Sequence, residues 1–214
     1  RSVGPLRLAL GGITLLAVAA RHGAPWGAWR RWSAVLGAAG VAVFQLGSFL
    51  PVERTGVAVG TVTTIGSGPV LGGLITAVRH RRRPAGVWVV GTAVSVAGVA
   101  LLGLAGVSAE TDLAGIALAV CAGLGWATFT TVGKHQIDSG VESSASMAAI
   151  FTGGAVLLSP LLAGHHPGWV AHGNGWWIVL YLGVVPAGVA YSLSGHALRH
   201  LHAPTVITLT LPAQ

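Results

Sequence analysis

The chain of 214 residues is 53% hydrophobic and 8% charged, far below the roughly 25% charge of ordinary soluble domains, and its mean hydropathy is +0.74. This excludes a soluble globular domain and leaves an integral membrane protein of helical spans, because the apolar runs far exceed the roughly ten-residue strands of a membrane barrel. The net charge of +7 does not point to nucleic acid, since the basic residues stand in short loops between apolar runs, where they act as topology signals.

Eight apolar runs, each bounded by charge, Gly or Pro, predict helices at 6–20, 33–52, 55–78, 86–107, 113–132, 146–163, 176–195 and 203 onward. The first run has the basic start and the Ala17-Val18-Ala19 site of a secretory signal, yet the spans that follow make it a genuine span. The chain starts with Arg and ends inside an apolar run at Gln214, and it reads as a fragment. In the third run, Gly56, Gly60, Thr64, Gly68, Gly72 and Thr76 recur every fourth residue, a ridge of small side chains suited to close helix packing in lipid. Four helical steps make about 400°, so the ridge drifts roughly 40° per repeat and its ends meet different neighbours. Gly66-Ser67-Gly68-Pro69 is expected to weaken that helix, because Pro69 leaves the Ile65 carbonyl without its usual donor. The run stops at Arg79-His80-Arg81-Arg82-Arg83-Pro84. The fifth run carries a second small-residue series, Gly115, Ala119, Gly123 and Ala127. Cys121 lies in the same run and is read as a structural core cysteine, and as the chain's one cysteine it excludes an internal disulfide. The nine histidines show no metal-binding spacing; His165, His166 and His172 fall in one loop and His196, His200 and His202 in another, so no metal site is expected.

With the 79–84 loop in the cytoplasm, Arg21, Arg30, Arg31, Lys134 and Arg199 also fall inside, while Arg1, Arg7, Arg54, Glu110 and Asp112 fall outside. That is a clear positive-inside bias. A weak internal repeat aligns Val52–Ala58 with Ala197–Ala203, each leading into a run rich in Thr and Val and each following a span with an aromatic, Phe44 or Tyr191. One preceding span would give the first half five, an odd number, so the second half would insert the other way up. Inverted repeats of this kind are a transporter signature.

VERTGVAVGTVTTIGSGPV at 52–70 and HRRRPAGVWVVGTAVSVAGVALL at 80–102 resemble the end of the first EamA repeat of the drug/metabolite transporter superfamily. LRLALGGITLLAV at 6–18, with its Arg7, is similar to that family's second span. AGLGWATFTTVGK at 122–134, with Trp126, is similar to the opening span of its second repeat, and GVAYSLSGHALRHLHAPTVITLTL at 188–211 to its eighth and ninth spans. The resemblance implies an all-α polytopic bundle of two inverted EamA repeats, residues 1–107 and 108–214, with about eight of an expected ten spans present. The first and tenth family spans are missing, and the family's Glu-Pro pair is not reached, since the chain reads Pro212-Ala213-Gln214 there. It further implies a multi-pass carrier in a bacterial plasma membrane that exports small metabolites or amino-acid-like compounds by alternating access. The partners are then the lipid bilayer and a small-molecule substrate, with no cofactor and no nucleic acid; pairing into a homodimer stays open.

All five acidic residues, Glu53, Glu110, Asp112, Asp138 and Glu142, lie in loops or at span edges, so no buried carboxylate is expected to couple transport to protons. The polar groups at membrane depth are neutral: Gln45, Ser48, Thr61, Thr64, Ser67, Thr128, Thr131, Tyr191, Ser192 and Ser194. Most such Ser and Thr bond back to their own helix. Gln45 is the better cavity candidate, because a primary amide has no local way to satisfy all its groups in lipid. The substrate-cavity candidates are Gln45, Thr64, Ser67, Pro69, Trp126 and Tyr191, the two aromatics serving either as stacking surfaces or as packing. An intramembrane serine enzyme using Ser67 or the Ser194/His196 pair is a competing class, though residues two apart face different sides of a helix. A non-transporting scaffold is a third.

Overall fold

A computed structural model describes residues 3–21, 23, 27, 32–55, 57–80, 86–106, 113–163, 175–201 and 205–207. The order is α1 Val3–Arg21, α2 Trp32–Thr55, α3 Val57–His80, α4 Gly86–Gly106, α5 Leu113–Asp138, α6 Ser143–Ala163, α7 Gly175–Leu182, a π-helical segment Gly183–Val189, and α8 Ala190–His200. In lipid each backbone donor and acceptor must be satisfied within its own segment, which is why uncharged runs of this length become helices. Stretches of α3, α5 and α6 at Gly60–Val78, Leu113–Asp138 and Ser143–Pro160 are each long and apolar enough to cross a membrane. The molecule is an all-α, multi-pass membrane protein.

Three sequence expectations change. α3 runs unbroken through Gly66 to Pro69, because a proline in a membrane helix is tolerated where neighbouring groups take up the freed carbonyl. The run at 176–195 is instead three consecutive helical pieces, with Pro186 inside the π-helical turn. Proline has no N–H and clashes with the preceding turn; a wider turn accommodates it. Cys121 is exposed rather than in the core, on the outward side of α5 beside exposed Val120 and Leu124. Lipid-facing and core positions are equally apolar, so hydropathy does not separate them. The basic stop at Arg81–Arg83, the loop residues Arg30, Arg31, Glu110, Asp112, His165, His166, His172 and His202, and the end at Pro212–Gln214 lie outside the described residues.

The helices group into two compact units, one of residues 1–42 and 132–202, the other of residues 43–131 and 203–214. The division falls inside α2 and α5, each of which contributes to both. In the first unit α1 packs on α6 and on the π-helical segment, and α6 packs on α8. Small residues permit the approach: Gly12 lies against Thr152, Gly153 against Ala38, Gly154 against Leu8 and Val41, Gly183 against Leu10, and Gly188 against Thr14. Leu15, Met147, Ile150 and Leu198 are almost wholly buried. The α5–α6 turn is a helix C-terminal cap: the Gly140 N–H donates to the Ile137 carbonyl at 3.0 Å and the Val141 N–H to the Gln136 carbonyl at 3.0 Å. Gly140 sits at φ +85°, the left-handed position that such a cap assigns to glycine.

Candidate functional site

The second unit holds a seam between α3 and α5, with α2 closing one side. The ridge expected on α3 is buried at Gly60, Thr64, Gly68 and Gly72, and it works as a set of notches. Gly68 receives Trp126 of α5; a methyl there would stand 2.7 Å from the indole Cε3. Gly72 receives Ile207, and Gly73 receives the indole of Trp88 from α4. The relation reverses at Gly123 of α5, which receives Ser67 and the backbone of Thr64 and Gly68. On α2, Gly47 lies against Leu118 and Ala122, and Phe44 sets its ring 6.1 Å from Trp126 and 6.2 Å from Phe129.

Five of the six sequence candidates fall in this unit. Gln45 is buried, 3% exposed, one position from Phe44. Thr64 is buried and its hydroxyl donates to the Gly60 carbonyl at 2.9 Å; the Ser67 hydroxyl donates to the Thr64 carbonyl at 3.1 Å. Pro69 is buried, and its carbonyl accepts the Trp88 Nε1–H at 3.3 Å. Trp126 is 3% exposed. Thr64, Ser67 and Trp126 therefore meet along one seam through Gly68 and Gly123. Tyr191 belongs to the first unit, where its ring lies 4.3 Å from Phe151.

Most of the other hydroxyls bond back to their own helix, Ser48 to Phe44, Thr128 to Leu124, Ser192 to Gly188 and Ser194 to Ala190. Thr131 is the exception on α5: its hydroxyl is buried without a hydrogen-bond partner, as are those of Thr92 and Thr152. His196 meets His200 edge-on at 5.5 Å. Among the described residues no three His, Cys, Asp or Glu side chains converge.

Sequence reasoning missed a polar assembly in the first unit. Gln136, fully buried, donates through Nε2 to the Ser33 hydroxyl at 3.0 Å and accepts from the Ser146 hydroxyl at 2.7 Å. Glu142 stands just before α6 and accepts from the Ser144 hydroxyl, from the Ala145 N–H at 3.1 Å and from Arg199 at 2.5 Å. Partial burial pushes its carboxyl up, but the Ser144 and Ala145 donors and the Arg199 charge outweigh this and hold it below the ordinary carboxylate value. Asp138 pairs with Lys134 at 2.8 Å. An acidic residue ahead of a helix start was the available signal for Glu142; nothing in the sequence ties Gln136 to Ser33.

The chain is 32% identical over 213 residues to the uncharacterized transporter YwfM of Bacillus subtilis (strain 168), covering 97% of this chain and 70% of that protein. It belongs to the EamA-like transporter family. The profile of that family matches residues 113–212. A solved crystal structure whose description names no activity superposes on 99% of this chain and 74% of its own, with a TM-score of 0.79 at 20% identity; that likeness carries the fold. The molecule is thus a membrane transporter of the EamA type, and the seam just described lies inside a carrier's helical bundle.

Proposed function

We propose that this EamA-type protein exports small metabolites or amino-acid-like compounds across a bacterial plasma membrane by alternating access. Two inverted repeats, residues 1–107 and 108–214, would supply the two rocking halves. The reading rests on family membership together with one structural observation: a buried amide, Gln45, on a helix that packs against the α3–α5 seam. Carrier sites are mostly apolar, with a few placed polar groups. In this reading Gln45, Thr64, Ser67, Pro69 and Trp126 line the substrate path, and Tyr191 is a further candidate. No enzymatic step is assigned. Ser67 and Ser194 both spend their hydroxyl protons on carbonyls of their own helices.

Coupling to protons through an intramembrane acid is not part of the proposal. Asp138 and Glu142 stand at helix ends and are engaged by Lys134 and Arg199. A substrate-panel efflux assay on cells expressing the full-length protein tests the reading. The expected result is saturable export of at least one metabolite, reduced about tenfold or more by Gln45→Leu. Labelling by a serine-reactive probe without any flux would support the enzyme class instead, and neither signal would support a scaffold.

A further inference from the structure

Within the first unit, the start of α2 packs on the end of α5 and the start of α6. Ala34 shares a buried cluster with Val141, Ala145 and Ala149. Further along, Gly37 lies against Val132 and Ile150, Ala38 against Gly153, and Val41 against Gly154. Rising numbers on α2 meet rising numbers on α6, so the two helices run side by side in one direction for about two turns. Small and apolar side chains make this contact. Its outer end is different: the buried amide of Gln136 holds Ser33 of α2 and Ser146 of α6 at once. Packing through small residues does not require such a group, and a buried amide is costly unless it is bonded.

Two features suit this tie to opening. It is neutral where its neighbours are charged. Glu142 joins the start of α6 to Arg199 of α8, and Lys134 pairs with Asp138 at the end of α5; such charge-assisted bonds are roughly twice as strong as neutral ones. In the transport reading the two halves are residues 1–107 and 108–214. Both ion pairs then lie inside one half, while the bond from Gln136 to Ser33 crosses between the halves. Breaking that bond strands no charge. The tie also stands at the edge of the spans. Ser33 follows exposed Trp32, and Gln136 is two residues before exposed Asp138. Water reaches both groups as soon as α2 moves away, and exchanging a protein hydrogen bond for one to water has a small net cost.

We propose that this contact is a gate of the carrier, closed in the conformation described, with the Gln136 amide as its latch. The start of α2 parts from α5 and α6 when the path opens at this end, and Gln136 keeps Ser146 while releasing Ser33. The gate rests on the transport reading above. The test is counterflow of radiolabelled amino acids and organic acids in proteoliposomes holding the full-length protein, with Cys121→Ala as background. Ala38→Cys with Gly153→Cys joins the two halves. A Cβ on Gly153 would stand 2.8 Å from that of Ala38, so a small outward shift brings the pair to the roughly 3.5–4.5 Å of a disulfide. Ser143→Cys with Gly195→Cys joins α6 to α8 inside one half, at 3.7 Å by the same measure. Oxidation with copper phenanthroline is expected to cut flux about tenfold or more in the first pair, reversibly with dithiothreitol, and to leave the second within about twofold. Separately, Ala34→Cys is expected to react with a water-soluble methanethiosulfonate about fivefold faster when Gln136→Leu removes the latch. Full flux through the oxidised first pair overturns the gate and leaves the transport reading standing. Equal loss from both pairs also overturns it, because the block is then general stiffening. Unchanged reactivity of Ala34→Cys on adding Gln136→Leu overturns the latch, and that readout holds even where a cysteine pair fails to fold. No saturable flux of any solute by the native protein removes the transport reading and the gate together.

Discussion

The two compact units are held together by different physics. In the first, Gln136 ties Ser33 to Ser146, and Glu142 gathers Ser144, Ala145 and Arg199, so hydrogen bonds and charge fix the ends of its helices. In the second, indoles and backbone press into glycine notches: Trp126 at Gly68, Trp88 at Gly73, and the Thr64–Gly68 backbone at Gly123. Lipid is as apolar as a side-chain core, so helices gain little by merely hiding apolar surface from it, and close packing or polar ties must supply the specificity. The first unit adds polar ties to glycine contacts of its own, such as Gly12 at Thr152 and Gly183 at Leu10, whereas the second relies on the notches. The polar device loses stability when a partner is deleted, the notch device when an atom is added.

The largest contrast comes from one substitution made twice on α5. Gly123→Ala sets a methyl 3.0 Å from the Thr64 carbonyl oxygen and 3.1 Å from the Gly68 nitrogen, and backbone of a packed helix cannot give way easily. Gly133→Ala in the first unit meets chiefly the terminal Cε of Met147, a flexible end that can swing aside. Thermal unfolding in detergent should show a loss of about 3 kcal/mol for the first and under about 1 kcal/mol for the second. Equal losses would remove the distinction between a notch lined by backbone and one lined by a flexible side chain.

Gln136→Ala comes next. It strands the buried Ser33 and Ser146 hydroxyls and leaves a cavity, at a cost of about 2 kcal/mol by the same measurement. A triple variant that also removes both hydroxyls should recover part of that loss. Glu142→Gln is smaller, about 1 kcal/mol, since Glu142 and Arg199 are partly exposed and the main loss is of the helix-start charge. The folded carboxyl lies below its unfolded value, so its contribution is present above the unfolded pKa and is lost as pH falls through the folded one. The melting curves of the native protein and Glu142→Gln should thus differ at neutral pH and draw together in acid. The smallest effect is that of the 3.3 Å bond from the Trp88 Nε1–H to the Pro69 carbonyl, removed with the Gly73 notch still filled by replacing the indole of Trp88 with its benzothiophene isostere. About 0.5 kcal/mol is expected.

The spans were legible because uncharged length is a one-dimensional signal, and so was the α3 ridge, whose period of four showed that Gly60, Thr64, Gly68 and Gly72 share a buried face. Backbone-bonded hydroxyls such as those of Thr64 and Ser67 were also predictable, since their partners lie three or four residues away. What sequence could not supply was distance in three dimensions. Gln136 and Ser33 are 103 residues apart, and no local pattern joins them. Cys121 was misread because hydropathy has no term for facing lipid. The π-helical turn was missed because Pro186 signals a disturbed helix without saying whether it breaks, bends or widens. For the candidate site, residue types were readable from the chain, while the pairing of Trp126 with Gly68 required the fold.

The most direct test of the central claim is saturable solute flux by the purified full-length protein in proteoliposomes, compared with Gln45→Leu and with protein-free vesicles. A carrier whose path runs along the α2 face and the α3–α5 seam predicts saturable flux in the native protein and about tenfold less in a Gln45→Leu variant that melts within a few degrees of it. Flux no greater than in protein-free vesicles would contradict transport itself, and undiminished flux in Gln45→Leu would move the path away from this seam.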